Sequence, residues 1–439
     1  MKPELLSPAG TLKNMRFAFA YGADAVYAGQ PRYSLRVRNN DFRLENLQSG
    51  INEAHALGRK FYLASNIAPH NSKVKTYLRD MEPVIAMKPD ALIMSDPGLI
   101  MMVRDAFPDM PVHLSVQANA VNFATVKFWA KQGVERIILS RELSLDEIQE
   151  IREECPNTEI EVFVHGSLCI AYSGRCLLSG YINKRDPNQG TCTNSCRWQY
   201  QAHEAKETHS GDIIPVVNAA PTLGEGQPTD GMYLLQESNR PEQLMPAFED
   251  EHGTYIMNSK DLRAVQHVHR LTQMGVHSLK IEGRTKSFYY VARTAQVYRK
   301  TIDDAAAGIP FDMGVMDTLE NLANRGYTEG FYRRHVHDEY QNYESGSTQK
   351  GKQQFVGEIL DVNGQELTID VKNRFEQGDT LELMTPKGNH VFKLDHIENK
   401  HGESVSAAPG SGHVVKIQAP EEAGVDQYSL LVRNLPEAN

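Results

Sequence analysis

Four cysteines, Cys169, Cys176, Cys192 and Cys196, follow one another in the spacing C-x6-C-x15-C-x3-C, while the rest of the chain holds only Cys155. Thiolates are soft ligands, and an all-cysteine set favours an iron–sulfur cluster. Zinc normally takes two close cysteine pairs, and here only Cys192 and Cys196 form one. Zinc or unligated thiols are therefore the alternatives. The set is introduced by Glu161-Val162-Phe163-Val164-His165-Gly166-Ser167-Leu168-Cys169. That β-branched and aromatic run ending in Gly-Ser reads as a buried strand delivering a thiol to the loop at its carboxyl end.

The start of the chain, Met1 to Pro8, lacks the apolar run of a signal peptide, and no later stretch could span a bilayer. We therefore expect no membrane association and a cytoplasmic location, where thiols stay reduced and clustered cysteines favour metal over disulfide. The net charge of −10 argues against nonspecific nucleic-acid binding through bulk charge, though not against a local basic face.

At 439 residues the chain exceeds one ordinary core. Its first two-thirds alternates short apolar strands with helical patterns: Glu4–Pro8, a helix over Thr11–Tyr21, then strands at Ala25–Ala28, Lys60–Ala64, Ala91–Met94, Val112–Val116, Arg136–Ser140, Ile160–Val164 and Ser278–Ile281. Helices before them end in glycine-led stretches such as Gly22-Ala23-Asp24 and Gly133-Val134. Eight nearly apolar strands with helical crossovers predict an α/β fold, a closed (β/α)8 TIM-like barrel over residues 1–340. A doubly wound open sheet is the alternative. No G-x-G-x-x-G follows the first strand, which weakens a dinucleotide-binding reading.

Polar residues recur just past the strands: Gln30, Asn66, Ser95-Asp96, Gln117 with Asn119, Arg141-Glu142, His165, and Glu282 with Arg284. Barrel active sites lie at the carboxyl face, so these side chains should converge there, although each alone could be an ordinary loop cap. The crossover after the seventh strand runs from Gly166 to about Val276 and carries the four cysteines, which places it over the barrel mouth. A long helix follows at about Lys286–Ala307, closed by Gly308. Residues 341–352 are a polar linker, and 353–439 alternates like half-buried strands with turns at Asn363-Gly364 and Lys387-Gly388-Asn389. That describes a small antiparallel β-barrel.

Basic residues interleave with aromatics along that helix, again over Arg325–Arg334 with Arg333 and Arg334 at its end, and beside the cysteines as Lys184, Arg185, Arg197 and Trp198. Such mixtures suit phosphate pairing and base stacking, and equally a solvated helix face with a core-facing stripe. No H-E-x-x-H and no G-x-S-x-G is present. A Cys169–His165 pair would have to leave the cysteine set and lacks a third orienting residue.

Five motifs in order carry a family resemblance that spans essentially the whole chain: Glu161-x-Phe163-Val164-His165-Gly166-Ser167-Leu168-Cys169, Cys176, Asn258-Ser259-Lys260-Asp261-Leu262, Lys280-Ile281-Glu282-Gly283-Arg284-x-Lys286-Ser287 and Arg325-Gly326-Tyr327-x-x-Gly330-Phe331. They resemble the collagenase-like peptidase (U-thirty-two) family. Glu4–Gly10, Tyr33–Asn40 and Gly180–Pro187 look like the branch of that family that modifies bacterial tRNA. The resemblance implies formation of 5-hydroxyuridine at the wobble position of the tRNA anticodon loop, with prephenate instead of dioxygen as oxygen source and a [4Fe-4S] cluster. Carried over, the cluster ligands are Cys169, Cys176, Cys192 and Cys196. A collagenase-like peptidase and a non-catalytic iron–sulfur RNA-binding accessory protein are the alternatives, and the redox partner stays open.

Within that reading, His165, Glu282 and Asn66 are the candidate catalytic residues. Prephenate is a dianion, and Arg36, Arg38, Arg141, Lys280 and Arg284 supply fixed cations, with Gln117 and Asn119 as polar partners. Lys184, Arg185, Arg197, Trp198, Arg333 and Arg334 are the candidate RNA contacts.

Overall fold

The computed structural model describes residues 1–35, 41–168, 260–322, 324, 326–333, 352–421 and 423–435 in full, Ser173 and Asn188 singly, and the backbone of five strands between 200 and 254. Eight parallel strands close on themselves: β1 (Glu4–Pro8), β2 (Ala25–Gly29), β3 (Lys60–Ser65), β4 (Ala91–Met94), β5 (Val112–Leu114), β6 (Arg136–Ile138), β7 (Glu159–Ser167) and, after the insertion, β14 (Ser278–Ile281). β14 hydrogen-bonds to both β1 and β7, which completes the ring and excludes the open doubly wound sheet.

The crossover helices are α1 (Leu12–Ala20), α2 (Leu44–Ala56), α3 (Asn71–Ala86), α4 (Pro97–Ala106), α5 (Phe123–Lys131) and α6 (Leu145–Glu154), then α7 (Val268–Gln273) and α8 (Phe288–Ala307). Their starts are written locally. The Thr11, Asp96 and Asn122 side chains accept from the third residue on, and Ser144 with Glu147 forms a reciprocal capping box. Each such cap is worth about 1 kcal/mol.

The insertion after β7 adds β8 (Tyr200–Glu207), β9 (Ile213–Pro215), β10 (Met232–Glu237), β11 (Arg240–Asp250) and β12 (Gly253–Thr254), an antiparallel sheet in the order β12-β11-β10-β8-β9. The sequence reading assigns no strand to this crossover and misses the sheet. β13 (Asp261–Arg263) then runs antiparallel along the end of β7, and β15 (Tyr327–Thr328) pairs with β13.

The C-terminal module is antiparallel, as expected. Its main sheet has seven strands in the order β20-β19-β24-β16-β17-β23-β21, where β21 is Glu398–Asn399, and beside it β18 (Phe375–Glu376) pairs with β22 (Ala407–Ala408), around a separate apolar core. The main strands are β16 (Gln353–Asn363), β17 (Glu366–Val371), β19 (Thr380–Thr385), β20 (Gly388–Lys393), β23 (Val414–Gln418) and β24 (Leu430–Asn434). Met384, Leu430 and Val432 belong instead to the barrel's core, and Tyr289 stacks on Phe355 at 4.9 Å. Buried Arg293 of α8 reaches Glu382 of β19 at 2.8 Å. Among the described residues no helix is long and apolar enough to cross a membrane.

Candidate active site at the barrel mouth

A cleft opens at the carboxyl ends of the strands. Its described walls divide by chemistry. Arg141, Lys280 and Arg284 line it together with a single carboxylate, Glu282. Asn66, Ser115 and Gln117 give a polar side, and Leu35, Ile93, Val116 and Ile138 an apolar one.

Two aromatic rings carry the cations. The Lys280 ammonium lies 4.4 Å from the Tyr27 ring centre and 5.4 Å from that of Phe163. Arg141 stacks over Phe163 at 4.0 Å, and Arg284 stands 5.7 Å from Tyr27. Ring faces hold cations without neutralising them. Arg284 also donates to Ser34 Oγ at 2.7 Å, and Arg141 to the Ser167 carbonyl at 3.1 Å. At Gly29 a Cβ would fall 2.4 Å from the Arg284 guanidinium, so only glycine leaves room for that side chain.

Tyr27 donates to the Ile281 carbonyl at 2.9 Å and lies 3.2 Å from Glu282 Oε2. Burial, reinforced by the Glu282 carboxylate, pushes its phenol well above the ordinary tyrosine range, so it stays a donor. Asn66 donates to Ser115 Oγ at 3.1 Å and accepts from the Leu35 N–H at 3.3 Å.

Beneath the cleft the barrel interior is ionic. Glu161, fully buried, accepts from Lys280 Nζ at 2.8 Å and from Arg136 at 3.3 Å. Arg136 also binds Glu4 at 2.6 Å and Glu159 at 2.8 Å, and Tyr62 and Ser278 donate to Glu4. Burial alone would raise the Glu4 carboxyl, but the Arg136 guanidinium beside it more than offsets this and holds it below its usual range.

The structure thus gathers Asn66, Gln117, Arg141, Lys280, Glu282 and Arg284 in one basin. Asn119 sits apart: it adopts a left-handed backbone at φ 55° and accepts from Ser140 Oγ at 2.8 Å. His165 departs from expectation. A register shift in the β7–β14 pairing follows Phe163, and the His165 ring packs among Tyr290, Tyr298 and Tyr327 on the side facing α8, away from the cleft lining. Burial lowers its pKa to about 3. Arg333 is exposed and pairs with Glu329. Cys169, Cys176, Cys192, Cys196, Arg36, Arg38, Lys184, Arg185, Arg197, Trp198 and Arg334 lie outside the described residues. Their described neighbours are fixed to rim loops, with Ser173 N donating to Glu142 at 3.1 Å and Ala68 N to the Asn188 carbonyl at 3.0 Å.

The sequence reading missed Tyr27, Phe163, Ser34 and the Glu4–Arg136–Glu161 interior. Charged residues within otherwise apolar strands were the available signal for that interior.

Residues 10–342 match peptidase family U32 and residues 351–431 its C-terminal domain. The chain belongs to peptidase family U32. A family member from Escherichia coli (strain K12), tRNA hydroxylation protein P, is 68% identical over 99% of this chain and 97% of that protein. Its namesake from Haemophilus influenzae is 65% identical over 100% of this chain and 97% of that protein. More distant, the Escherichia coli 23S rRNA 5-hydroxycytidine C2501 synthase is 28% identical over 91% of this chain and 55% of that protein.

Proposed function

We propose that this U32 member is a tRNA-hydroxylating enzyme. It converts the wobble uridine of the anticodon loop to 5-hydroxyuridine without dioxygen, with prephenate as hydroxyl source, a [4Fe-4S] cluster held by Cys169, Cys176, Cys192 and Cys196, and a separate electron acceptor that takes the two electrons released when the C5–H bond is replaced by C5–O. The observation that carries the reading is full-length identity of 68% to a protein named for tRNA hydroxylation. The chemistry of the basin supports the finer steps. The lining gathers Arg141, Lys280 and Arg284, the arginine forks suit carboxylates, and the apolar wall suits a hydrocarbon ring. The amides of Asn66 and Gln117 on the lining suit a hydroxyl.

A wobble base is unpaired in free tRNA, so it can be turned into a pocket without breaking a duplex. Four thiols in one crossover fit an iron–sulfur cluster as a donor set, and such a cluster supplies electron transfer or Lewis acidity when bound. Peptide hydrolysis, the chemistry in the family's name, finds little support among the described lining residues. Ser115, the serine among them, accepts from Asn66, and no histidine stands among the described lining residues to serve it as a base.

The test is anaerobic incubation of reconstituted protein with unmodified tRNA and a redox dye as electron acceptor, with and without prephenate, followed by nucleoside mass spectrometry. The proposal expects 5-hydroxyuridine only with prephenate, and a heavy-oxygen label in the prephenate hydroxyl should enter the nucleoside. Formation of the nucleoside without prephenate would overturn the choice of co-substrate.

A further inference from the structure

Barrel interiors of this type are ordinarily filled by branched aliphatic side chains. This one carries four alternating charges, Glu4, Arg136, Glu161 and Lys280, contributed by β1, β6, β7 and β14. Arg136 and Lys280 are 4% exposed at their side chains and Glu161 is 0% exposed. Buried ion pairs seldom stabilise a fold beyond what well-packed apolar residues of the same volume would give. Their presence here therefore calls for a role other than stability. Only Lys280 among the four lines the cleft.

The geometry of that lysine is specific. Its hydrogen-bond acceptor among the described residues is Glu161, at 2.8 Å, and its other close partners are the faces of Tyr27 and Phe163. Glu161 is fixed in turn by Arg136, which is fixed by Glu4 and Glu159. Glu161 is sealed from the cleft, so no ligand there would touch it.

We infer that Glu161 is a positioning residue: it holds the Lys280 ammonium charged and aimed into the basin to receive a carboxylate of the small anionic substrate, and Arg136 and Glu4 hold Glu161. The inference rests on the reading of the basin as an anion site. Burial depresses the Lys280 ammonium below the usual lysine range, and Glu161 opposes that depression. The other charged or titratable groups facing Lys280 are Glu282 and Arg284 after β14, Tyr27 of β2, Arg141 after β6 and His113 of β5. Of these, Glu282 also favours the charged form, while Arg284 opposes it.

The test follows the Lys280 side chain directly, by NMR of side-chain-labelled lysine in the full chain, with the signal assigned by its loss in Lys280→Arg. Glu161→Gln keeps the shape and removes the charge. It should lower the Lys280 titration midpoint by about one unit or more and weaken prephenate binding by about tenfold. Glu398→Gln, which removes a carboxylate of the C-terminal module outside this network, should leave both where they are. In the unaltered chain, saturating prephenate should raise the Lys280 midpoint, a readout that holds even if Glu161→Gln fails to fold. An unmoved midpoint in a folded Glu161→Gln protein, or binding of prephenate without any response at Lys280, would overturn the inference. Failure of prephenate to bind, with the Glu161→Gln shift intact, would instead overturn the substrate named under the proposed function.

Discussion

Ile281 pairs with His165, although the register set by Lys280 and Phe163 one residue earlier would have brought it opposite Val164. The extra residue turns the next side chain out of the alternation that puts Glu161 and Phe163 inside the barrel. His165 therefore faces α8, where Tyr298 lies 3.3 Å from Nδ1. Gly166 follows with φ +103°, and a Cβ there would lie 2.4 Å from the Glu282 carbonyl oxygen. This glycine lets the end of β7 press against the segment that carries Glu282 and Arg284.

His165 should behave as a neutral packing residue. Its folded pKa of about 3 lies below the ordinary histidine value of about 6.5, so the unfolded chain binds the proton first as pH falls. The stability it contributes is complete above pH ~6.5 and is lost as pH drops toward ~3, by about 2 kcal/mol between pH 7 and 5. Urea unfolding at those two pH values should show a smaller difference in His165→Gln than in the parent. An equal difference would count against the buried neutral ring.

Much of this fold could be read from the residues, for a physical reason. Each barrel strand is a mostly apolar run bounded by turn residues, so β1–β7 and β14 announce themselves locally. β13 and β15 span three and two residues and exist only because β7 offers an edge, so nothing local marks them. The site divides the same way. Asn66, Gln117, Arg141, Lys280, Glu282 and Arg284 were legible as polar residues at strand ends. Tyr27 reads as core until Lys280 is seen over its ring. The position of His165 depends on one inserted residue, which periodicity cannot reveal.

Gly166→Ala should cost function out of proportion to its size. The positive φ alone costs about 1–3 kcal/mol, and the added methyl must displace the backbone of Glu282. Circular dichroism should report a folded protein, while tRNA hydroxylation falls severalfold or more. Full activity would show that Glu282 can shift freely.

Arg284 should matter mainly to the small anion. Replacing it with Met removes a charge-assisted contact worth about 1.5–3 kcal/mol, so KM for prephenate should rise roughly 10- to 100-fold. The apparent affinity for tRNA should change little. Steady-state kinetics with each substrate varied in turn separates the two. A change confined to tRNA would move Arg284 out of the anion site.

The Arg293–Glu382 pair predicts coupling between the barrel and the C-terminal module. Arg293→Met strands a buried carboxylate at a cost of about 3–5 kcal/mol. The double variant Arg293→Met/Glu382→Leu should recover most of that loss. Thermal unfolding of the parent, the single variant and the double variant measures both effects. No recovery in the double variant would mean that the pair itself supplies the stability.

The most direct measurement is the nucleoside profile of tRNA from a strain lacking this chain and complemented with variants. The unaltered chain should restore 5-hydroxyuridine or the nucleosides built from it. Lys280→Met, folded and expressed at the same level, should leave the wobble uridine bare, as should Cys176→Ala. Full restoration by Lys280→Met would contradict the assignment of the reaction to this basin.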